Sequence, residues 1–356
     1  MANASKIDLG CNQLRGNFVL SGKVVGRFSN GFYAEGTSSG GKAWRRVHFG
    51  VEIEPGKIIY LDMFGAVQDN VYFSKTVRGS DGKNQTTTKN VPWAKRTKSS
   101  KELFGEDGYR IIGVTCGCEK IIDKNGKEVN NTKHLTTYDA CDEVGNLQDE
   151  DFVFVRGNIS YSTYNGTHRV NFEPVQISLC KPIDFEAIDF QPNASFTQPI
   201  VCMGVAKNED TPGEAIVTAK IVGYQNIEDT ELYTRNGGLA KNLKKLGEYT
   251  HIKVWGDIVV DGEVQEVEED TGWGTSNKMD KVASPFKRKL MITGADPESI
   301  DKESYSESVI EHAMSVIAGI QNAKKDYGKN SEADPNGWGS KNSNLDDEDD
   351  DMDLGI

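Results

Sequence analysis

The sequence predicts a mainly β protein, with a small β-barrel that carries a β insertion, a second β-rich domain, one C-terminal amphipathic helix and a disordered acidic tail. Three observations support this fold class. Short segments of alternating apolar and polar residues recur between turn-forming residues, and the 356-residue chain contains 37 glycines. Apolar residues recur at helical spacing between Tyr305 and Ile320. The C-terminal residues are mostly acidic, and like charges at this density do not pack into a core.

The first predicted domain, residues 1–182, begins with four strands. Apolar and polar residues alternate in the segments that we assign to them, residues 18–25, 42–51, 58–64 and 70–77. In the second strand Val47 and Phe49 share the apolar face, and Arg45 interrupts it. We therefore expect Arg45 to extend its charged end to water or to lie near the end of the strand.

A basic segment and a hairpin follow. Residues 78–101 contain almost no apolar side chains, so we interpret them as a long mobile basic loop. Residues 109–122 and 134–144 are predicted as strands of a β insertion that spans residues 102–150. The hairpin signal is clearest further on, where Asn165-Gly166 suits a type I′ turn between strands at residues 152–161 and 167–179.

Residues 181–197 are rich in proline and predict a linker to a second β-rich domain, residues 195–297. Its candidate strands lie at residues 198–206, 215–224, 229–235, 249–260, 263–268 and 286–294, with a short helix at residues 237–246. The pair Asp296-Pro297 predicts the start of the amphipathic helix, residues 298–327. We expect this helix to pack on the second domain, with a partner or dimer surface as the alternative. Residues 328–356 are predicted to be a disordered tail.

The charge of the chain is distributed unevenly. The formal net charge is −13, yet residues 15–101 contain 15 Lys and Arg against 6 Asp and Glu, a local balance of +9. The rest of the chain therefore carries −22. Residues 257–270 contain 7 acids and no base, so that surface is not expected to contact nucleic acid. The pattern predicts a protein that binds a polyanion through its N-terminal segment and repels it elsewhere.

The sequence also bears on the cellular compartment. No apolar run approaches the ~20 residues that a membrane helix needs, and the N-terminus lacks the apolar core of a signal peptide. Six cysteines are spread over a long chain, unlike those of a small disulfide-rich domain. We expect a cytoplasmic protein with reduced thiols and no contact with membranes.

Catalytic and cofactor motifs are not recognisable. The sequence contains no phosphate-binding loop, no Gly-x-Ser-x-Gly elbow and no His-Glu-x-x-His motif, so we predict a protein that is not an enzyme and needs no cofactor. The best candidate for a metal site is Cys116, Cys118, His134 and Cys141, since zinc binds Cys and His. Cys-x-Cys on a strand places both thiols on one face, and we favour free cysteines over a zinc site.

Cations and aromatic rings occur together in the first domain. Binding of single-stranded nucleic acid requires cations for the phosphates and flat side chains for the bases, and each base stack contributes ~1–3 kcal/mol. Packing is an equal alternative for any single aromatic residue, but their combination with charge on one face favours binding. The candidates are Trp44, Arg46, His48, Tyr60 and Phe64 on the strands, Phe32 and Tyr33 in the first loop, Trp93, Lys95, Arg96 and Lys98 in the basic loop, and Tyr161, Tyr164 and Arg169 in the hairpin.

The C-terminal tail combines charge with apolar residues. Seven carboxylates lie between Asp346 and Asp353 with no cation among them, and the chain then ends in Leu354-Gly-Ile356. A tail that only improves solubility has no use for apolar residues, so a solvated charge run and a partner-binding segment are both open interpretations. The residues predicted to contact a partner are Asp349, Asp350, Asp351, Met352, Asp353, Leu354 and Ile356.

This organisation resembles that of the single-stranded DNA-binding proteins of bacteria and their phages. The resemblance covers residues 15–180 and 340–356 and rests on a basic, aromatic β-barrel, a polar spacer and an acidic tail with an apolar end. It implies a barrel of the oligonucleotide-binding (OB) type and a tail that recruits replication and recombination proteins or competes with DNA for the barrel. The ending Leu354-Gly-Ile356 replaces the Ile-Pro-Phe typical of bacterial members, and the chain is about twice their length.

The sequence therefore predicts a protein that coats single-stranded DNA without strong sequence preference, during phage DNA replication, recombination or repair. Two alternatives from other classes stay open. The first is an all-β virion or scaffold protein whose acidic tail aids assembly. The second is a metal-dependent nuclease, whose carboxylate ligands can be scattered along a sequence.

Overall fold

The computed structural model describes residues 8–29, 31–79, 82–164, 166–261, 264–267, 279–282 and 287–330. Residues 331–356 of the predicted tail, with all of its candidate partner contacts, lie outside these residues, whereas residues 328–330 are helical and not disordered as predicted. The described part is mainly β and includes a long C-terminal helix, which confirms the predicted fold class. None of the described helices is long and apolar enough to cross a lipid bilayer.

Thirteen strands lie in the described residues of the N-terminal half. They are β1 (Gly16–Val25), β2 (Tyr33–Thr37), β3 (Ala43–Glu54), β4 (Lys57–Ala66), β5 (Asn70–Arg78), β6 (Asn84–Pro92), β7 (Arg110–Ile111), β8 (Val114–Gly117), β9 (Lys120–Ile122), β10 (Glu128–Asn130), β11 (Lys133–Leu135), β12 (Phe152–Tyr164) and β13 (Thr167–Leu179).

The C-terminal half contains the remaining strands, and helices occur in both halves. The strands are β14 (Asn193–Lys207), β15 (Ala215–Val222), β16 (Ile227–Thr234), β17 (Thr250–Asp261), β18 (Val264–Val267), β19 (Met279–Val282) and β20 (Lys287–Asp301). The helices are a 3₁₀ turn (Trp93–Lys95), α1 (Ser100–Phe104), α2 (Thr137–Gly145), α3 (Gly237–Leu246) and α4 (Glu307–Asn330).

The first barrel is built around β1. This strand pairs antiparallel with β3 and β12, β3 pairs with β2 and β4, and β12 pairs with β13. Strand β13 pairs in parallel with β8 and lies against β4, which brings the two ends of the sheet together. The apolar face predicted from alternation is buried, with Val47, Phe49 and Leu61 at most 1% exposed. Period-two alternation therefore sets which side of each strand faces the core.

The second barrel is a closed ring of five strands. Strands β14, β15 and β16 form an antiparallel meander, β16 pairs in parallel with β20, β20 pairs antiparallel with β17, and β17 pairs antiparallel with β14. Helix α3 connects β16 to β17. A five-stranded Greek-key barrel of this kind is the architecture of an OB fold. The sequence predicted the OB architecture for the first domain alone, and the ring in the second domain was missed.

The two barrels share a sheet. Strand β1 pairs antiparallel with β14, from Asn17 opposite Thr197 to Ser21 opposite Asn193. Backbone hydrogen bonds between β1 and β14 therefore join the two barrels in one continuous sheet. The domain boundaries given above stay predictions.

The predicted basic loop, residues 78–101, is wrong for most of its length. Strand β6 pairs with β5 from Asn70 opposite Pro92 to Arg78 opposite Asn84, and the 3₁₀ turn and α1 follow. A small separate core of Val71, Phe73, Val91 and Tyr109 holds this three-stranded sheet together, with Trp93, Leu103, Phe104 and Ile111 packed around it. Apart from Val91 and Trp93, the apolar side chains of this core come from residues before and after the basic segment, so the segment by itself looked unstructured.

The predicted strand at residues 134–144 is also wrong, because most of it forms α2. The Thr136 hydroxyl accepts a hydrogen bond from the Asp139 backbone N–H and so caps the start of the helix. The buried residues of α2 include Ala140, Cys141 and Val144, a spacing that suits one helical face. Gly65 of β4 allows the close approach of α2, since a Cβ there would lie 2.2 Å from the Tyr138 backbone nitrogen.

The C-terminal helix begins later than predicted. Asp296-Pro297 lies within β20, which pairs with β17 as far as His251 opposite Asp301, and a break in the register accommodates the proline. Helix α4 begins at Glu307 and buries Ile310, Ala313 and Ile317 in the main core. The Tyr305 ring, just before it, stacks on His251 with the ring centroids 5.0 Å apart.

Candidate nucleic-acid interface

The outer face of strands β3 and β4 carries three diagonal side-chain pairs. The register places Trp44 opposite Ala66, Arg46 opposite Phe64 and His48 opposite Asp62. Each β3 side chain contacts the side chain one step further along this face of β4, which is within reach of long and aromatic residues in a twisted sheet. The pairs that result are Trp44 with Phe64, Arg46 with Asp62, and His48 with Tyr60.

The first pair stacks two aromatic rings. The ring centroids of Trp44 and Phe64 are 5.9 Å apart and the rings are inclined by 28°. On its other side Trp44 lies over Gly36 of β2, where a Cβ would come within 2.8 Å of the indole. A glycine is therefore required at Gly36 for the indole to lie flat on the sheet. Phe64 is 48% exposed, so part of its ring is open to a ligand.

The pair of His48 and Tyr60 lies at the opposite end of the face. Its rings are almost parallel, with an inclination of 2° and centroids 5.4 Å apart. Gly50 lies next to this pair on β3, and a Cβ there would clash with Ile58 at 2.6 Å and Val25 at 2.8 Å, but would only touch the Tyr60 ring at 3.5 Å. Tyr60 is 45% exposed.

The environment of His48 favours its neutral form. Desolvation lowers the pKa of His48, and the positive charges of Arg46 and Arg288 lower it further, against the opposing effect of Asp62. A neutral imidazole at pH 7 stacks without adding charge to the face. The positive charge at the centre of the face therefore belongs to Arg46.

An ion pair separates the two stacks. The Arg46 guanidinium donates two hydrogen bonds to Asp62, of 3.0 Å from Nε and 2.6 Å from Nη2. Both side chains are partly exposed, 49% for Arg46 and 33% for Asp62. The face thus offers two stacking surfaces and a guanidinium that a carboxylate already neutralises. Sequence reasoning missed Asp62, because nothing local indicates that an acid on one strand lies diagonal to Arg46 on the next.

Phe32 and Tyr33 of the first loop have structural contacts. Phe32 is 1% exposed and packs against Phe49, so it belongs to the core. The Tyr33 hydroxyl donates to Asp142 at 2.8 Å and to Glu35 at 3.1 Å. Phe28 is the exposed aromatic residue of this loop, at 86%. We therefore leave Phe32 and Tyr33 out of the candidate face.

The predicted basic loop is fastened to α2. The Trp93 ring packs edge-on against Tyr138, and the Arg96 guanidinium donates two hydrogen bonds to Asp139, of 2.8 and 3.0 Å. The Trp93 backbone N–H donates to the Asp69 carbonyl, and the carboxylate of Asp69 accepts from Lys42 beside the start of β3. The exposed side chains of Lys95 and Lys98 therefore lie in a segment that borders the Trp44 end of the face.

The β12–β13 hairpin lies against the second barrel. Tyr161 is 8% exposed and its hydroxyl donates to Gln198 at 3.0 Å. Near the tip, the Thr163 hydroxyl donates to Glu228 of β16 at 2.5 Å. Arg169 lies opposite Ser162 on the same hairpin, and the side chain of Tyr164 lies outside the described residues. The hairpin therefore lies next to the second barrel. Tyr161 is buried there, so it is not part of the candidate face.

A sequence model of the YorF family matches residues 35–331. The chain belongs to the YorF family. No curated protein sequence matches it significantly. Two crystal structures of the single-stranded DNA binding protein from Thermus aquaticus are similar to this YorF-family chain, each with a TM-score of 0.35. The wild-type structure is 12% identical and the match covers 80% of this chain and 93% of that chain. For a deletion mutant of the same protein the identity is 11% and the coverage 80% and 94%.

The cysteines of the YorF-family chain do not form a metal site in its described part. No three His, Cys, Asp or Glu side chains converge there in a way that suits a metal ion. His134 contacts the Thr115 hydroxyl at 3.1 Å through Nδ1. Burial raises the pKa of Cys141 to about 12, and its thiol lies 3.5 Å from the Arg45 carbonyl.

Arg45 illustrates how this protein accommodates a charge on an apolar face. Its guanidinium lies 4.1 Å from the centroid of the Tyr138 ring and donates to Asp142 at 2.5 Å and to Glu35 at 3.4 Å. The ring and one of the carboxylates come from α2, which covers this end of the barrel. The residue lies near the start of β3, in agreement with the expectation from the sequence.

Proposed function

We propose that this protein binds single-stranded DNA through the outer face of β3 and β4, without strong sequence preference. The observation that supports this most directly is the pair of half-exposed rings, Phe64 and Tyr60, each backed by a second ring on the same face. In an OB fold the second and third strands of the barrel bind oligonucleotides, and β3 and β4 take this position after β1. The two rings are held in place before any ligand arrives, so little side-chain entropy is lost on binding.

The nature of the face favours single strands over duplexes. Bases in a duplex already stack on one another, whereas unstacked bases gain ~1–3 kcal/mol each from an aromatic platform. Every base has a π-face, so platforms such as Phe64 and Tyr60 discriminate weakly between sequences. Cations around the face, in the +9 segment of residues 15–101, attract the phosphate backbone. Affinity is expected to fall as salt rises, because bound phosphates release condensed counterions.

Substitution of the two exposed rings tests the proposal. Tyr60→Ala and Phe64→Ala should each weaken binding of a fluorescent oligo-dT about tenfold, because each removes a stack of ~1–3 kcal/mol. Fluorescence anisotropy at fixed salt provides the dissociation constants. The matched control is Tyr224→Ala, which removes a ring that is 66% exposed on the second barrel and should leave binding unchanged.

The alternatives give different results in the same experiment. Wild-type affinity in both Tyr60→Ala and Phe64→Ala would refute the assigned face. A virion or scaffold protein would form large assemblies without DNA and leave the anisotropy of the oligonucleotide unchanged. A metal-dependent nuclease would shorten the oligonucleotide when Mg²⁺ is added, which a denaturing gel detects.

We further propose that the protein acts in DNA replication, recombination or repair and that the tail, residues 346–356, recruits partner proteins in those processes. The charge and apolar end of the tail support this role, as does the resemblance in organisation described above. A pull-down with the full chain and with a chain that lacks residues 346–356 tests it. Equal recovery of host replication proteins by both would refute partner recruitment by the tail.

A further inference from the structure

A residue of the second barrel reaches the candidate face of the first. Arg288, near the start of β20, donates a hydrogen bond from Nη1 to the Tyr60 carbonyl at 3.4 Å, across 228 residues of sequence. Its guanidinium carbon also lies 6.0 Å from the centroid of the Phe172 ring on β13. Strands β17 and β4 also contact each other. The second barrel therefore positions a cation beside the Tyr60 end of the face.

The charge of Arg288 acts on this end of the face. It is one of the two positive charges that help to lower the pKa of His48, which stacks on Tyr60. Arg288 itself is exposed, although partial desolvation beside the first barrel lowers its pKa. The guanidinium is thus close enough to influence the stacked pair and open enough to meet a ligand that binds there.

The cations discussed so far lie at the centre of the face or near its Trp44 end, whereas Arg288 lies at its Tyr60 end. Arg46, at the centre of the face, is neutralised by Asp62 through two hydrogen bonds. The exposed Lys95 and Lys98 border the Trp44 end. A strand that crosses both stacks needs a cation for its phosphates at each end, and Arg288 is placed to provide one at the Tyr60 end.

The remainder of the second barrel does not look like a second nucleic-acid site. Strands β15 and β16 occupy the positions in this ring that β3 and β4 occupy in the first barrel. Their outer face carries Asp229 and Glu231, and its Lys220 is bound to Asp229 at 2.6 Å. A face of this charge repels phosphates. The contribution of the second barrel to binding is therefore expected at its contact with the first.

We propose that Arg288 binds the phosphate of the nucleotide whose base stacks on Tyr60, so that the single-stranded DNA site spans both barrels. This inference rests on the proposed function and extends it to residues 193–301, for which the sequence indicated no role. A guanidinium is well suited to this task, because its planar donors match the oxygens of a phosphate. The Tyr60 carbonyl, which accepts one of those donors, holds the side chain in position.

The test compares charge removal with charge retention at this position. Arg288→Gln keeps an N–H donor for the Tyr60 carbonyl and loses the charge, whereas Arg288→Lys keeps the charge. The glutamine variant should bind oligo-dT roughly three- to tenfold more weakly at low salt, and its plot of log affinity against log salt should be shallower by about 0.7, the contribution of one phosphate on a single strand. The lysine variant should keep the wild-type slope. Lys220→Gln, a charge removal on the β15–β16 face, is the matched control and should change neither quantity.

The outcomes separate the two proposals. Wild-type affinity and slope in Arg288→Gln, while the wild type binds and Tyr60→Ala binds about tenfold more weakly, would overturn the role of Arg288 and leave the face intact. A loss of affinity with an unchanged slope would also overturn it, since that result indicates a structural effect on the barrel contact. Absence of binding by the wild type would refute the proposed function and this inference with it.

Discussion

At the scale of single residues, Asp62 is an unusual neighbour for a phosphate-binding surface. Its carboxylate accepts hydrogen bonds from Nε and Nη2 of Arg46, along one edge of the guanidinium, in the geometry that a phosphate would adopt. A phosphate that approaches the face must therefore displace Asp62 or bind beside it, against its negative charge. The ion pair stabilises the free protein and opposes DNA binding at the same place.

Removal of this charge is expected to strengthen binding. In Asp62→Asn the side chain keeps its size, and the Arg46 charge becomes available to a phosphate. We predict an affinity for oligo-dT at least about threefold higher at low salt, with a salt slope steeper by about 0.7. Anisotropy titrations over a series of salt concentrations measure both quantities.

The matched control is Asp229→Asn, which removes the carboxylate partner of Lys220 on the second barrel. That change should alter DNA binding little, since the β15–β16 face is not proposed to contact DNA. Weaker binding in Asp62→Asn would contradict the competition and would indicate that Asp62 holds Arg46 in its productive orientation.

At the scale of structural elements, a buried charge cluster holds β20 within the second barrel. The Glu214 side chain is 0% exposed, and Lys289 donates to it at 2.9 Å and contacts Asp261 at 3.0 Å. The Lys289 side chain is 11% exposed. The cluster joins the segment before β15 to β17 and β20, so it fixes the strand that also presents Arg288.

Loss of the lysine should be costly for folding. Lys289→Met removes the buried cation and leaves Glu214 only the exposed Arg235, 3.4 Å away, and loss of the partner of a buried charge costs ~3–5 kcal/mol. Chemical denaturation, followed by tryptophan fluorescence, measures the free energy of unfolding. Lys220→Met is the control, because its partner Asp229 is 54% exposed and such surface pairs contribute only ~0–1 kcal/mol. Equal stability of Lys289→Met and the wild type would contradict the role of the cluster.

At the scale of the whole molecule, the distribution of charge connects the two ends of the chain. Residues 15–101 carry +9 in a protein of net charge −13, and seven carboxylates lie between Asp346 and Asp353. A polyanion attached to the same chain as a cationic face can compete with DNA for that face. The competition is electrostatic, so salt should weaken it.

Deletion of residues 346–356 is therefore predicted to tighten binding of oligo-dT. We expect at least about a threefold increase in affinity at low salt and no difference at high salt, where the Debye length falls to ~3 Å at 1 M. Titrations of the full and shortened chains at the two salt concentrations measure the effect. A chain in which the seven acids of residues 346–353 are replaced by Asn and Gln controls for length and should match the deletion. Unchanged affinity at low salt would leave the tail with partner docking alone.

Particular residues show how far the sequence alone leads. Alternation in β3 and β4 correctly placed Trp44, Arg46 and His48 on one face with Tyr60 and Phe64 beside them. The same reasoning failed for Phe32 and Tyr161, which lie in the core, because an aromatic residue in a loop or hairpin has no periodic neighbours that show which way it points. It failed again at residues 134–144, where a short apolar pattern suited a strand as well as the helix that forms.

The sequence by itself determined the features that depend on local order: the mainly β class, the sides of the main strands, helix α3 and the charge asymmetry. Tertiary structure decided the features that depend on distant residues. Among these are the ring closure of the second barrel through the parallel pairing of β16 with β20, the neutralisation of Arg46 by Asp62 and the contact of Arg288 with Tyr60. The physical reason is that side-chain alternation is a property of each strand, whereas the neighbour of a strand is set by how the whole sheet closes.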